Sequence, residues 1–158
     1  MTQPLEFRRI AILNRGEAAL RFLRALRDYN IERSTSLEAV AFITHPDRHS
    51  PCARQADEVV DLGSPFVLEN NALVSAYCAH DYVISKLKEA RCEAVWPGWG
   101  FVSEDPLFVK RLEEEGIHFL GPSSEAMQRL GDKIASKQLA ESCDVPLAPW
   151  GMIEDSDN

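Results

Sequence analysis

The groups in this chain that could do chemistry gather between Ala94 and Lys133. The stretch opens AVWPGWGFVSEDP and continues, after a helical segment, as HFLGPSSEAMQRLGDK. An apolar run enters a turn carrying Pro97, Gly98 and Gly100, and Trp96 and Trp99 bracket the first glycine. Strand, glycine turn and helix bring backbone close to a ligand at the carboxyl end of a parallel sheet. Trp99 adds a flat aromatic face and Glu104 a carboxylate. That combination points to a small-molecule site. Further on, Gly131 can end one helix, Asp132 can cap the next, and Lys133 then lies in its first turn, with Lys137 one turn later. A lysine there opposes the helix dipole, and a phosphate would supply its partner. The plainer alternative is a solvated surface lysine.

Other segments narrow the chemistry. NRGEAALR follows the first strand but holds only Gly16, where a dinucleotide fingerprint needs three glycines. Glu17, four residues before Arg21, favours a solvated ion pair on a helix. His45 in THPDR stands at a strand end, where a lone histidine is usually a turn residue. His49, His80 and His118 have no acidic or cysteine partner at suggestive spacing and are assigned no chemistry. There is no nucleophile elbow and no P-loop. Cys52, Cys78, Cys92 and Cys143 are scattered, so reduced thiols are expected. Cys78, His80 and Cys92 fit no common zinc spacing.

These residues need elements to hold them. Strands are predicted over 8–14, 38–44, 58–62, 93–96 and 117–120. Helices are predicted over 16–29, 72–90 and 103–115, the last with Ser103 as N-cap, and two short ones over 124–130 and 133–143. On the first helix Ala19, Leu20, Leu23 and Leu26 share one face; Glu17, Arg21, Arg24 and Asp28 share the other. Residues 30–37 and 63–71 read as surface loops. Such alternation predicts a three-layer Rossmann-like α/β domain with a mostly parallel sheet of about five strands. Right-handed crossovers then gather the turns at 14–17, 44–48 and 97–104 on one edge. Residues 1–145 form this domain in the reading, and the aperiodic, acidic segment 146–158 reads as a linker toward a further domain.

The 158 residues carry a net charge of -8, with 9 basic and 10 acidic residues in 1–79 and 8 and 15 in 80–158. With no basic cluster, nucleic acid and anionic membrane are poor partners. No stretch is long and apolar enough to span a bilayer, and MTQPLEFRR lacks a secretory apolar segment. A soluble, cytoplasmic protein is expected.

AILNRGEAALR, ADEVVDLG, AVWPGWGFVSEDP, GIHFLGPSSEAMQRLGDKIASK and VPLAPW, in this order and spacing, resemble the N-terminal domain of biotin carboxylase, a module of biotin-dependent carboxylases of the ATP-grasp class. The resemblance covers residues 8–151. It implies an enzyme that uses ATP and magnesium to activate bicarbonate and carboxylates biotin on a carrier protein. Lys133 matches a lysine at the ATP phosphates. Trp99, with Gly100 beside it, matches a tyrosine packed near the biotin ring, and Glu104 a glutamate at the pocket edge. Arg21 and Arg24 match arginines at or near the subunit interface of dimeric members. The usual His-Pro-Gly-Tyr-Gly-Phe turn here starts with Trp96 and has Trp99 for tyrosine, so the hydroxyl is lost. The tryptophans, LGDKIAS and PLAPW resemble the eukaryotic-type acetyl-CoA carboxylases, whereas Pro97 and Phe101 resemble the bacterial form. An acetyl-CoA or acyl-CoA carboxylase, with a role in fatty acid biosynthesis, is therefore implied over pyruvate carboxylase.

In that family the metal-binding glutamates, the catalytic base and the glycine-rich lid lie in later segments. No catalytic residue and no metal ligand is expected in these residues, and the chain alone is expected to be inactive, with no cofactor held tightly. Its implied partners are the ATP-grasp and C-terminal domains, the biotin carboxyl carrier, the carboxyltransferase and a second copy in a homodimer. Two alternatives stay open: the N-terminal domain of another ATP-grasp ligase, and a non-catalytic module binding a partner through the Arg21/Arg24 face.

Overall fold

Buried apolar segments set the architecture. In the computed structural model, which describes residues 7–131, 133–149 and 151, β1 (Arg9–Ile12), β2 (Glu38–Ile43), β3 (Glu58–Asp61), β6 (Ala94–Trp96) and β7 (His118–Phe119) form one sheet. Its order is β3-β2-β1-β6-β7 and every pairing is parallel. Alternate residues of the central strands go to opposite faces. Ile10, Ile12, Ala41 and Ile43 pack with Ala19, Leu23 and Leu26 of α1 (Gly16–Arg33) and Cys52 of α2 (Pro51–Gln55). Ala11, Leu13, Val40, Phe42 and Val95 pack with Val83, Ile84 and Leu87 of α3 (His80–Glu89) and with Phe108 and Leu112 of α4 (Pro106–Glu114). Both faces are thus covered, as continuous apolar strands require. This is the expected three-layer, five-stranded α/β fold. α5 (Ser124–Gly131) packs on α4, and α6 (Lys133–Ser142) on α5.

Four expectations are corrected. The segment 72–90 is not one helix, and 63–71 is not only loop. Phe66–Glu69 forms β4 and Ala72–Ser75 forms β5, an antiparallel hairpin with Leu68 opposite Leu73. Asn70 and Asn71, with φ of 50° and 63°, close it, and two such residues suit a tight hairpin turn. A short 3₁₀ turn at Ala76–Cys78 then leads to α3, which starts only at His80.

The third correction is to α1, which runs four residues past the predicted end, so only 34–37 is loop. Ser34 in the left-handed region stops it, and the Asn30 carboxamide ties down Thr35 and Leu37. The fourth concerns α4. Asp105, not Ser103, caps it, accepting from the backbone N–H groups of Leu107 and Phe108 at 3.0 Å each. Pro106 explains the choice, since proline favours the first helical position and so fixes the cap one residue earlier.

The proposed linker is described only at 146–149 and 151, which are exposed and without regular structure; Trp150 and 152–158, like Asp132 and its cap, lie outside the described residues. All four cysteines are free. No described helix is long and apolar enough to cross a membrane.

Candidate functional site

Strand order reverses direction between β1 and β6, and an open α/β sheet presents its crevice at that point. Asn14 leaves β1 there and is only 5% exposed. Its Nδ2 donates to the carbonyls of Pro97 at 2.6 Å and Trp99 at 2.9 Å, and its Oδ1 accepts from the Arg15 N–H at 2.8 Å. The carboxamide therefore ties the turn after β1 to the turn after β6. Gly98 presses against it: a Cβ there would lie 2.6 Å from Asn14 Nδ2. Arg15 in turn pairs with both oxygens of Asp47, at 2.8 and 3.0 Å. The three turns expected on one edge are thereby joined.

Above this base the aromatic side chains divide. Trp96 stacks on Phe22 with ring centroids 4.4 Å apart, and Phe101 leans on Tyr77 at 4.7 Å. Trp99 is 76% exposed. One hollow of about 390 Å³ is lined by Asn14, Arg15, Gly16, Glu17, Ala18, Trp99, Gly100 and Phe101. A second, of about 410 Å³, shares Glu17, Ala18 and Trp99 with it and adds Arg21, Phe22, Ala25 and Trp96. A third, of about 320 Å³, shares Arg15 and Phe101 and reaches Thr44, Pro46, Phe66 and Tyr77. Together they form one trough along the carboxyl edge.

The structure thus brings Trp99, Gly100 and Arg21 together. Glu104 is exposed and lines none of the three hollows. Arg21 pairs with Glu17 at 3.4 Å, and Arg24 is exposed on the same helix. Lys133 is exposed at the start of α6 and also lies outside the trough.

Sequence reasoning missed Asn14, the Arg15–Asp47 pair and His80. The last was given no acidic partner, yet its Nε2 lies 2.9 Å from Asp105 Oδ2, and its ring packs on Phe108. A polar residue closing an otherwise apolar buried strand was the available signal for Asn14. The other two contacts join turns far apart in sequence and leave no local pattern.

Electrostatics define what the trough does. Burial holds the Tyr77 hydroxyl well above its usual range, and that hydroxyl donates to the Phe42 carbonyl at 3.0 Å. The Asp47 carboxylate raises the Arg15 guanidinium further. Among the described residues no group of three or more His, Cys, Asp or Glu could hold a metal. The trough offers aromatic surface, close backbone and fixed cations, which suit binding and orientation of a flat ligand.

A sequence profile of the family described as biotin carboxylase, N-terminal domain, matches residues 6–127. The chain belongs to that family. The biotin carboxylase N-terminal domain is similar here to the propionyl-CoA carboxylase alpha chain of Ruegeria pomeroyi, 35% identical over 96% of this chain and 21% of that protein. It is 37% identical to acetyl-CoA carboxylase 2 of Arabidopsis thaliana over 89% of this chain and 6% of that protein. Among solved structures, biotin carboxylase of Campylobacter jejuni, determined as a β-γ-ATP complex, superposes with a TM-score of 0.77 at 30% identity, covering 91% of this chain and 30% of that one. The domain therefore spans less than a third of the length of these relatives.

Proposed function

We propose that this chain is the N-terminal part of a biotin carboxylase, in which carrier-bound biotin is carboxylated with bicarbonate and ATP. The observation that carries the reading is Trp99, a large indole left 76% exposed on a buried, hydrogen-bonded base at the switch point. Burying such a face in a ligand contact is worth about 1.5–3 kcal/mol. Biotin, when bound, supplies the ureido nitrogen that takes up the carboxyl group. Its ureido ring is planar and fits an indole face. Gly100, with open space where a Cβ would stand, leaves the backbone accessible beside that face. Glu104, exposed and outside the three hollows, keeps its role at the pocket edge only through the family resemblance.

Lys133, exposed on α6, is the group that would meet ATP phosphates. The remaining charges that phosphoryl transfer needs would come from the ATP-grasp and C-terminal domains of the same module. Arg21 and Arg24 form the face offered to a second copy. Trp96 and Trp99 favour an acetyl-CoA or acyl-CoA carboxylase of the cytoplasm, working with a biotin carrier and a carboxyltransferase.

The test is steady-state carboxylation by the intact carboxylase carrying Trp99→Ala. Losing the indole contact should raise KM for biotin by about tenfold to a hundredfold. Residues 1–158 alone should give no carboxybiotin. An unchanged biotin dependence, or turnover by the isolated chain, defeats the reading.

A further inference from the structure

We propose that Asn14 is a positioning residue that holds the Trp99 shelf in its binding orientation. The inference rests on the biotin reading of Trp99. The shelf lies between Gly98 and Gly100, the residue type with most backbone freedom to lose on ordering. Their φ values of 64° and 71° are ones other residues rarely adopt. Left alone, such a turn would place an exposed indole in many orientations, and a ligand would have to order it on binding.

The far end of the turn is already fixed. Asp105 caps α4 with one carboxylate oxygen and contacts His80 Nε2 with the other. Between the two ends, the Ser103 N–H donates to the Gly100 carbonyl at 2.9 Å. The near end depends on Asn14. Its two N–H bonds are spent on the Pro97 and Trp99 carbonyls, the latter belonging to the shelf residue itself. Only one orientation of the carboxamide works, because both neighbours on that side are acceptors and the Arg15 N–H on the other side needs an acceptor. The missing Cβ of Gly98 lets the turn close onto it. Asparagine is thus matched to the place by length, donor count and polarity together.

Asn14→Asp keeps the shape and replaces the two donors with a carboxylate facing two carbonyl oxygens. Asn14→Ser keeps one short donor that cannot serve both. The first measurement is ¹⁹F NMR on the full 158-residue chain labelled with 5-fluorotryptophan, the Trp99 resonance being identified with Trp99→Phe. In Asn14→Asp the Trp99 signal should shift or broaden, while that of Trp96, held by Phe22, stays in place. The second is carboxylation by the intact carboxylase. KM for biotin should rise about tenfold, the cost of about one lost hydrogen bond, with a smaller change in kcat.

An unmoved Trp99 signal together with unchanged KM overturns the proposal. Should Asn14→Asp fail to fold, Asn14→Ser decides by the same two readouts. If Trp99→Ala leaves carboxylation untouched, the biotin reading falls, while a displaced Trp99 signal in the Asn14 variants still establishes the positioning. If Trp99→Ala weakens biotin use and the Asn14 variants do not, Asn14 has no such role.

Discussion

Gly98→Ala isolates the close approach on which the site is built. Gly98 has a φ of 64°, and a non-glycine residue in that region costs about 1–2 kcal/mol. The added methyl would also lie 2.6 Å from Asn14 Nδ2, 2.9 Å from Trp96 Cη2 and 3.1 Å from Asn14 Cγ. None of these atoms can move freely: Asn14 is hydrogen-bonded on both sides and Trp96 is stacked on Phe22. Overpacking at such a place costs about 1–3 kcal/mol. The sum is about 2–5 kcal/mol, a large share of a small domain's stability. Gly100→Ala is the matched control. Its φ is 71°, but nothing lies within 4 Å of the added carbon, so only the backbone cost applies. Urea denaturation of the three chains at 25 °C, followed by far-ultraviolet circular dichroism, gives the two losses. Gly98→Ala should lose at least 1 kcal/mol more than Gly100→Ala. Equal losses would show that the turn does not press on Asn14, and the argument for a built base under Trp99 would go with it.

Thiol labelling should follow burial. Desolvation pushes the Cys92 thiol up to about 12 and also raises Cys52, while Cys143 is exposed. Iodoacetamide at pH 8, read by peptide mass spectrometry, should therefore modify Cys143 first and reach Cys52 and Cys92 only after unfolding; early labelling of Cys92 contradicts the packing. The Glu93 carboxylate accepts the Arg8 and Arg9 N–H groups at 2.7 and 3.0 Å, which hold its pKa below the ordinary 4.5. A group lowered in the folded state contributes stability above its unfolded value, and loses it as pH falls through the folded one. Glu93→Gln should thus flatten the decline of stability below about pH 4.5; an acid transition of unchanged steepness refutes this.

Much of this could be read from the residues because both periodicities were strong. RRIAILN and EAVAFIT are short apolar runs between turn signals, their alternation with helices gave the parallel sheet, and the 3.6-residue pattern of 16–29 gave the buried face of α1. The glycine turn was legible as a site because two glycines and an exposed aromatic have no purpose in a plain connection. The hairpin was not legible. Ala72–Ser75 is short, and its residues continue into a helical pattern with only a 3₁₀ turn between them. Ser103 also outcompeted Asp105 on paper, because the helix was started at Ser103 with Pro106 inside its first turn, and the preference of proline for the first helical position was not applied. Contacts across turns stay invisible to any local window. Asn14 reaches Trp99 over 85 positions, and His80 reaches Asp105 over 25.

Charge is placed differently at the two edges of the sheet. At the amino edge, Arg9 is gripped on every side. Its Nη1 and Nη2 lie 2.6 Å from Glu38 and Glu58, and its Nε donates to the Ala90 carbonyl. Glu93 beside it is spent on two backbone N–H groups. These groups close on one another and pin the starts of four strands or their connections. At the carboxyl edge the pairing is different. Asn14, Arg15 and Asp47 spend their polar groups on tying turns together, and the surface above them is left to Trp99 and Phe101, which are 76% and 39% exposed. Exposed indole and phenyl rings cost free energy in water unless something covers them. One end of the sheet is therefore closed by its own ion pairs and the other leaves aromatic rings exposed, and it is at the second that the glycine turn lies.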